Sequence, residues 1–302
     1  MKRRTGYGVL LVLLATVGPV EAQSPERPYD GEVRFDLLSF GNFFQAPADA
    51  LETDVTATRI RARLGTTVDL DRPLKLYAEF GRVSYNDLGG SNAVGGGVQY
   101  LGRPQSFRLS VGLQTDRPTI DVGDEFDRAD VTTIRGEYGY RPNRDWEVKG
   151  LLTLQFQGFD LNSSKDNTLF GTGAAARYRG FGSLFSPEIG VIFGGRGAVD
   201  RHEDHSQNDL YLKVRSAPAP PLYLSVTYRH RTRNYSIDDQ AARNFGRADT
   251  RKQLTALAEI HTWTYVYLNV YYAFQDGIST LASRTFTTHM LTIGVSLRTR
   301  PL

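Results

Sequence analysis

The densest group of chemically able side chains is Asp200-Arg201-His202-Glu203-Asp204-His205, with two imidazoles and three carboxylates in one short run. Such a run could bind a divalent metal through His202, Glu203 and His205, or act as acid and base. The plainer reading is a solvated polar loop, and no cofactor is expected. Asp121, Asp124, Glu125, Asp127 and Asp130 could attract Ca²⁺ or Mg²⁺ but lack the spacing of an EF-hand loop, so they too read as a solvated loop. Ser236 has no motif around it that would make a nucleophile, and His230, His261 and His289 have no partner at a telling spacing. Gly95-Gly96-Gly97 and Gly194-Gly195 are not followed by a helix, which separates them from phosphate-binding loops.

Basic residues recur at a different spacing. Arg59, Arg61 and Arg63 alternate with other residues, as do Lys213 with Arg215 and Arg229 with Arg231. A spacing of two places each group on one face of an extended strand, because successive side chains point to opposite sides. These are candidate binding or conducting residues for an anion, and strands must position them.

The rest of the chain supplies those strands. In His289–Arg298, Leu291, Ile293, Val295 and Leu297 form one face, and Met290, Thr292, Gly294, Ser296 and Arg298 the other. About fourteen such alternating segments follow one another, with twelve to sixteen compatible with their uncertain ends. They lie near 32–43, 56–68, 74–84, 93–101, 106–115, 131–141, 146–158, 168–178, 187–196, 208–216, 222–233, 253–261, 265–275 and 287–298. Most match the roughly 9–11 residues with which a tilted strand crosses a bilayer.

Connectors alternate in kind. Asp71-Arg72-Pro73, Arg103-Pro104-Gln105, Arg141-Pro142-Asn143, Ala217 to Pro221 and His261-Thr262-Trp263 read as tight turns, since proline fixes φ and cannot donate to a ladder. The stretches 115–130, 197–208 and 234–251 read as longer polar loops. Short turns on one side and longer loops on the other are the rhythm of a closed antiparallel barrel in an outer membrane. With an even strand number both termini fall on the turn side.

The ends and the composition agree with export. Lys2, Arg3 and Arg4 precede the apolar run Val9–Ala15, then Gly18-Pro19 and the small-x-small Val20-Glu21-Ala22. This is the form of a cleaved signal, so residues 1–22 are expected to be removed and 23–302 to form one β domain. The run is shorter than the roughly 20 residues a spanning helix needs. The absence of cysteine excludes a lipoprotein anchor, a disulfide framework and thiolate metal sites. A formal charge of +3, with basic residues scattered, argues against nucleic acid as a partner.

The mature chain resembles the Gram-negative outer-membrane β-barrel proteins as a broad class. Its Thr292-Ile293-Gly294-Val295-Ser296-Leu297 is similar to the final strand that barrel-assembly machinery reads, although an aromatic end is replaced by Arg298-Thr299-Arg300-Pro301-Leu302. The resemblance implies outer-membrane lipid and that machinery as partners, and a monomer or weak oligomer. The apolar faces would then meet lipid, and Tyr100, Tyr140, Trp146, Tyr178 and Trp263 would form a turn-side girdle, with Phe43, Phe159 and Phe274 toward the loops.

The opposite faces would line the lumen. They carry Arg34, Arg59, Arg61, Arg63, Lys75, Arg108, Arg135, Lys149, Arg177, Arg196, Lys213, Arg215, Arg229 and Arg231, against Glu32, Asp36, Glu79, Glu137, Glu147, Glu188 and Glu259. Simple hairpin registers set Arg63 opposite Glu79, Glu137 opposite Lys149 and Arg177 opposite Glu188. The basic excess points to a porin-like passage for small polar or anionic solutes. The alternatives are a non-conducting envelope scaffold or the membrane partner of a secretion or polysaccharide-export system, and, less favoured, a hydrolase.

Overall fold

The structure, a computed structural model, describes residues 29–42, 54–69, 74–86, 88–100, 102–120, 126–219, 221–235, 237, 240, 244–281 and 284–299. The proposed signal, Phe43, Asp121, Asp124, Glu125, Ser236 and the turn at Asp71-Arg72-Pro73 lie outside these residues.

Fourteen strands account for the described chain: β1 (Tyr29–Gly41), β2 (Val55–Asp69), β3 (Leu74–Tyr85), β4 (Gly89–Tyr100), β5 (Gln105–Ile120), β6 (Phe126–Tyr140), β7 (Trp146–Phe159), β8 (Asn167–Tyr178), β9 (Ser186–Ala198), β10 (His205–Ala219), β11 (Leu222–Tyr235), β12 (Ala248–Trp263), β13 (Val266–Ser279) and β14 (Phe286–Arg298). Each pairs antiparallel with its sequence neighbours, and β1 closes on β14 from Glu32↔Arg298 to Gly41↔His289. Closure leaves no strand edge unpaired, which is the condition for a sheet to sit in hydrocarbon. Both described ends lie on the turn side, since Tyr29 pairs with Thr66 near the end of β2 and Arg298 with Glu32.

The alternating segments correspond to the strands one for one, but several strands run beyond them at the loop ends. β5 reaches Ile120, β6 starts at Phe126, β12 starts at Ala248 and β13 runs to Ser279, so most of 115–130 and both ends of 234–251 are strand. Pairing continues where both faces meet water, and there no apolar row marks it. The connection between β3 and β4, residues 86–88, is itself short, so the loop side is not uniformly long. The turn expected at His261-Thr262-Trp263 falls at Thr264 and Tyr265 instead, because a register shift between His261 and Trp263 carries β12 further.

Sidedness is inverted relative to a water-soluble barrel. Leu64, Phe80, Val94, Phe193, Ile293 and Val295 are exposed on the outer surface, while Asp36, Asn269, Thr292 and Ser296 are buried inside. A band of this extent is costly in water and belongs in lipid. At its turn-side border the rings of Trp146 and Tyr178 lie 5.0 Å apart, Tyr178 and Phe181 5.1 Å, and Tyr100 and Phe107 5.8 Å. Trp263 and Tyr140 are exposed there too. Phe159 does not join the loop-side girdle, because its pairing with the buried Ala129 puts it on the inward row.

Two glycines show how closely the wall is packed. A Cβ on Gly194 would lie 2.1 Å from the Phe170 carbonyl oxygen, and one on Gly294 2.0 Å from Asp36 Oδ1. The second vacancy is where the Asp36 carboxylate is housed.

Candidate functional site

The interior is lined by charge, and three clusters organise it. In the first, Asp36, 0 % exposed, accepts from Arg34 Nε at 2.6 Å and from Arg59 Nε at 2.8 Å. Arg59 sits directly across from Asp36, and Arg61 directly across from Arg34. One carboxylate is thus shared by guanidiniums from two strands. Toward the turns Arg298 joins Glu259 (2.6 Å) to Glu32 (3.4 Å) and lies 4.3 Å over the Tyr267 ring, bridging β12, β14 and β1 across the closure.

In the second cluster, Lys149 binds Glu137 at 3.1 Å and Glu188 at 3.3 Å, and Glu188 also takes Arg215 at 2.9 Å and the Tyr211 hydroxyl at 3.2 Å. Below it, Glu147 is shared by Arg179 at 3.4 Å, Arg141 at 3.5 Å and Arg177 at 3.7 Å. Glu188 and Glu147 are each matched by two or more cations, while Glu137 has Lys149 alone.

The third cluster lies toward the loops. Arg231 makes a two-pronged contact with Asp209 (2.7 and 3.0 Å), and Arg233 donates to Gln207. Arg247, in the loop before β12, binds Asp249 through two nitrogens (2.9 and 2.7 Å) and lies over the Tyr235 ring. Burial works against the charge of Arg247, but the hydrogen bonds to Asp249 more than offset it and raise its pKa above the ordinary guanidinium value.

Of the three expected charge pairs, two stand in the expected register and a different one forms the ion pair. Arg63 does stand opposite Glu79, yet its guanidinium lies 4.0 Å over the Tyr77 ring and makes no ion pair among the described residues. Lys149 stands opposite Gly139, not Glu137, because the Asn143 side chain accepts from the backbone N–H groups of Asp145 and Trp146 and shifts the turn centre by one residue. The Glu137–Lys149 ion pair forms on the diagonal instead. Arg177 stands opposite Glu188 but donates to Ser186 and pairs with Glu147. Asp209, Asp249 and Arg251 were missed. Extending the alternation of Lys213 and Arg215 backward reaches Asp209, whereas Asp249 and Arg251 fall before the segment drawn for β12.

The run Asp200–His205 does not assemble a metal site. His205 begins β10 and turns inward, its Nδ1 3.0 Å from the Glu203 carbonyl and its ring against Tyr235. Glu203 is engaged by Arg196 at 3.7 Å and Asn244 at 3.3 Å, and His202 sits in a 3₁₀ turn capped by Asp200. Among the described residues no group of three or more His, Asp or Glu side chains is disposed to hold a metal ion.

Two cavities open between the charged clusters. One, about 310 Å³, lies beside the small residues Gly81, Ala93 and Gly112 and receives Arg59, Arg61, Arg135 and Glu79. The other, about 390 Å³, receives Lys213, Arg229, Tyr211 and Tyr271 together with the Lys149–Glu188–Arg215 group. Among the described residues Arg61, Arg135, Lys213 and Arg229 make no ion pair.

No family model matches the sequence, and no curated protein matches it. Among solved structures the chain is similar to outer-membrane expressed OmpT of Vibrio cholerae, at 10 % identity and a TM-score of 0.50, over 89 % of this chain and 96 % of that one. An anion-selective porin from Comamonas acidovorans aligns at 12 % identity and a TM-score of 0.42, over 89 % of this chain and 98 % of that one. At these identities the likeness concerns the fold: a closed outer-membrane β-barrel with a lipid-facing outer band.

Proposed function

We propose that this outer-membrane barrel is a porin-like passage for small polar solutes with a preference for anions, and that it is not an enzyme. The observation that carries this reading is the asymmetry of pairing inside the lumen. Asp36, Glu147 and Glu188 are each neutralised by more than one cation, while Arg61, Arg135, Lys213 and Arg229 face open cavities without an ion-pair partner. Unpaired cations on a low-dielectric wall focus a positive potential into the cavity and raise the local concentration of anions. Basic side chains lining a pore set anion preference in channels generally.

The test is reconstitution in planar bilayers under a salt gradient. The expected result is conductance with a reversal potential of the anion-preferring sign, moved toward zero by the combined substitutions Arg61→Gln, Lys213→Gln and Arg229→Gln. Folded protein that is electrically silent would overturn the passage and favour a scaffold or a secretion-system partner.

A further inference from the structure

The turn-side rim carries a separate basic feature. Three turns, at residues 101–104, 141–145 and 179–185, bring Arg103, Arg141, Arg144 and Arg179 around one cavity of about 590 Å³ that shares no lining residue with the two lumen cavities. The turns are tied to one another. Arg141 N–H donates to the Pro104 carbonyl at 2.8 Å, and Arg179 N–H donates to the Asp145 carbonyl at 2.6 Å. The Asn143 side chain caps the middle turn at 3.0 and 2.9 Å. The turns that carry the cluster are therefore fixed relative to one another before anything binds.

Its charge is not spent. Arg141 and Arg179 share a single carboxylate, Glu147, with Arg177, and Arg103 and Arg144 have no hydrogen-bond or ion-pair partner among the described residues. Arg141 Nε is buried and makes no hydrogen bond. A buried donor left unmade costs free energy that a bound acceptor would recover. Asp145, the acid of the middle turn, is exposed and does not line the cavity.

We infer that Arg103, Arg141, Arg144 and Arg179 form an oxyanion-binding basin at the turn-side mouth, which takes a phosphate group. Guanidiniums present forked donors that match phosphate oxygens, and the volume exceeds that of the ion alone, leaving room for the group that bears it. The phosphate can belong to a soluble molecule or to the headgroup of an anionic lipid. Exposed aromatic rings at Trp146, Phe181 and Phe185 place the basin beside the lipid boundary. The inference does not depend on whether the lumen conducts.

Two arms test it, using the whole protein and the double variant Arg103→Gln/Arg144→Gln, whose side chains make no hydrogen bond or ion pair among the described residues. Inorganic phosphate is titrated calorimetrically against the detergent-solubilised protein at fixed ionic strength. In parallel, phosphatidylglycerol retained by each protein from mixed phosphatidylethanolamine–phosphatidylglycerol vesicles is counted by native mass spectrometry. Phosphate binding weakened at least about tenfold in the double variant supports the basin with a soluble ligand. Phosphatidylglycerol retained by the wild type and lost by the variant supports it with a lipid ligand. Wild type and variant that behave alike in both arms overturn it.

Discussion

Asp36→Asn removes the one negative charge that holds Arg34 and Arg59. The side chain is 0 % exposed, and its two partners are 12 % and 27 % exposed, so the substitution leaves two guanidiniums in a confined space with partial access to water. Removing one member of a fully buried pair costs about 3–5 kcal/mol. Here two things reduce that figure. Asn keeps one acceptor oxygen, so one arginine contact survives as a hydrogen bond to a neutral group, and Arg59 can turn toward the 310 Å³ cavity that it already lines. The expected loss is about 2–3 kcal/mol. It is measured by urea unfolding in lipid vesicles, followed by the fluorescence of the two tryptophans, Trp146 and Trp263. Adding Arg59→Gln to Asp36→Asn should recover part of the loss by removing the stranded charge. If Asp36→Asn unfolds within about 0.5 kcal/mol of the wild type, the carboxylate is not the hub of that cluster and the reasoning fails. A second readout is independent of stability: freeing Arg59 should move the reversal potential further in the anion-preferring direction.

Gly194→Ala should destabilise the barrel by about 1–3 kcal/mol, since its Cβ meets the fixed Phe170 carbonyl at 2.1 Å. Gly150→Ala, with nothing within 4 Å, should leave the same urea midpoint unchanged. Leu291→Arg, on the outward row near the middle of β14, should cost about 2–4 kcal/mol in vesicles, and a loss below about 1 kcal/mol would mean that this row does not face hydrocarbon.

Much of the fold was legible because a period of two survives any error in strand ends. Moving the turn centre between β6 and β7 by one residue moved Lys149 from Glu137 to Gly139 but kept it inside, since such a shift moves the register by two positions. Sidedness is therefore robust, and register is not. Strand ends above the membrane were illegible for the related reason that both faces there meet water. Pairing of charges was the least legible feature. Local hairpins predict Arg63 with Glu79 and Arg177 with Glu188, but Tyr77 takes the first cation and Glu147 the second.

What the sequence by itself determined is a closed barrel of about fourteen strands, which charged residues face inward, and the excess of cations among them. Alternation is a local property, and burying Arg or Glu in hydrocarbon is too costly to allow any other arrangement. Only the tertiary structure decided which acids are neutralised and which cations stay free. Lys149 reaches Glu188 from β7 to β9, and Arg298 joins Glu259 to Glu32 across the closure, where chain separation carries no information. The gathering of Arg103, Arg141, Arg144 and Arg179 is of the same kind. Three turns far apart in sequence meet on one rim because the strands between them are held in register by a closed ladder of hydrogen bonds.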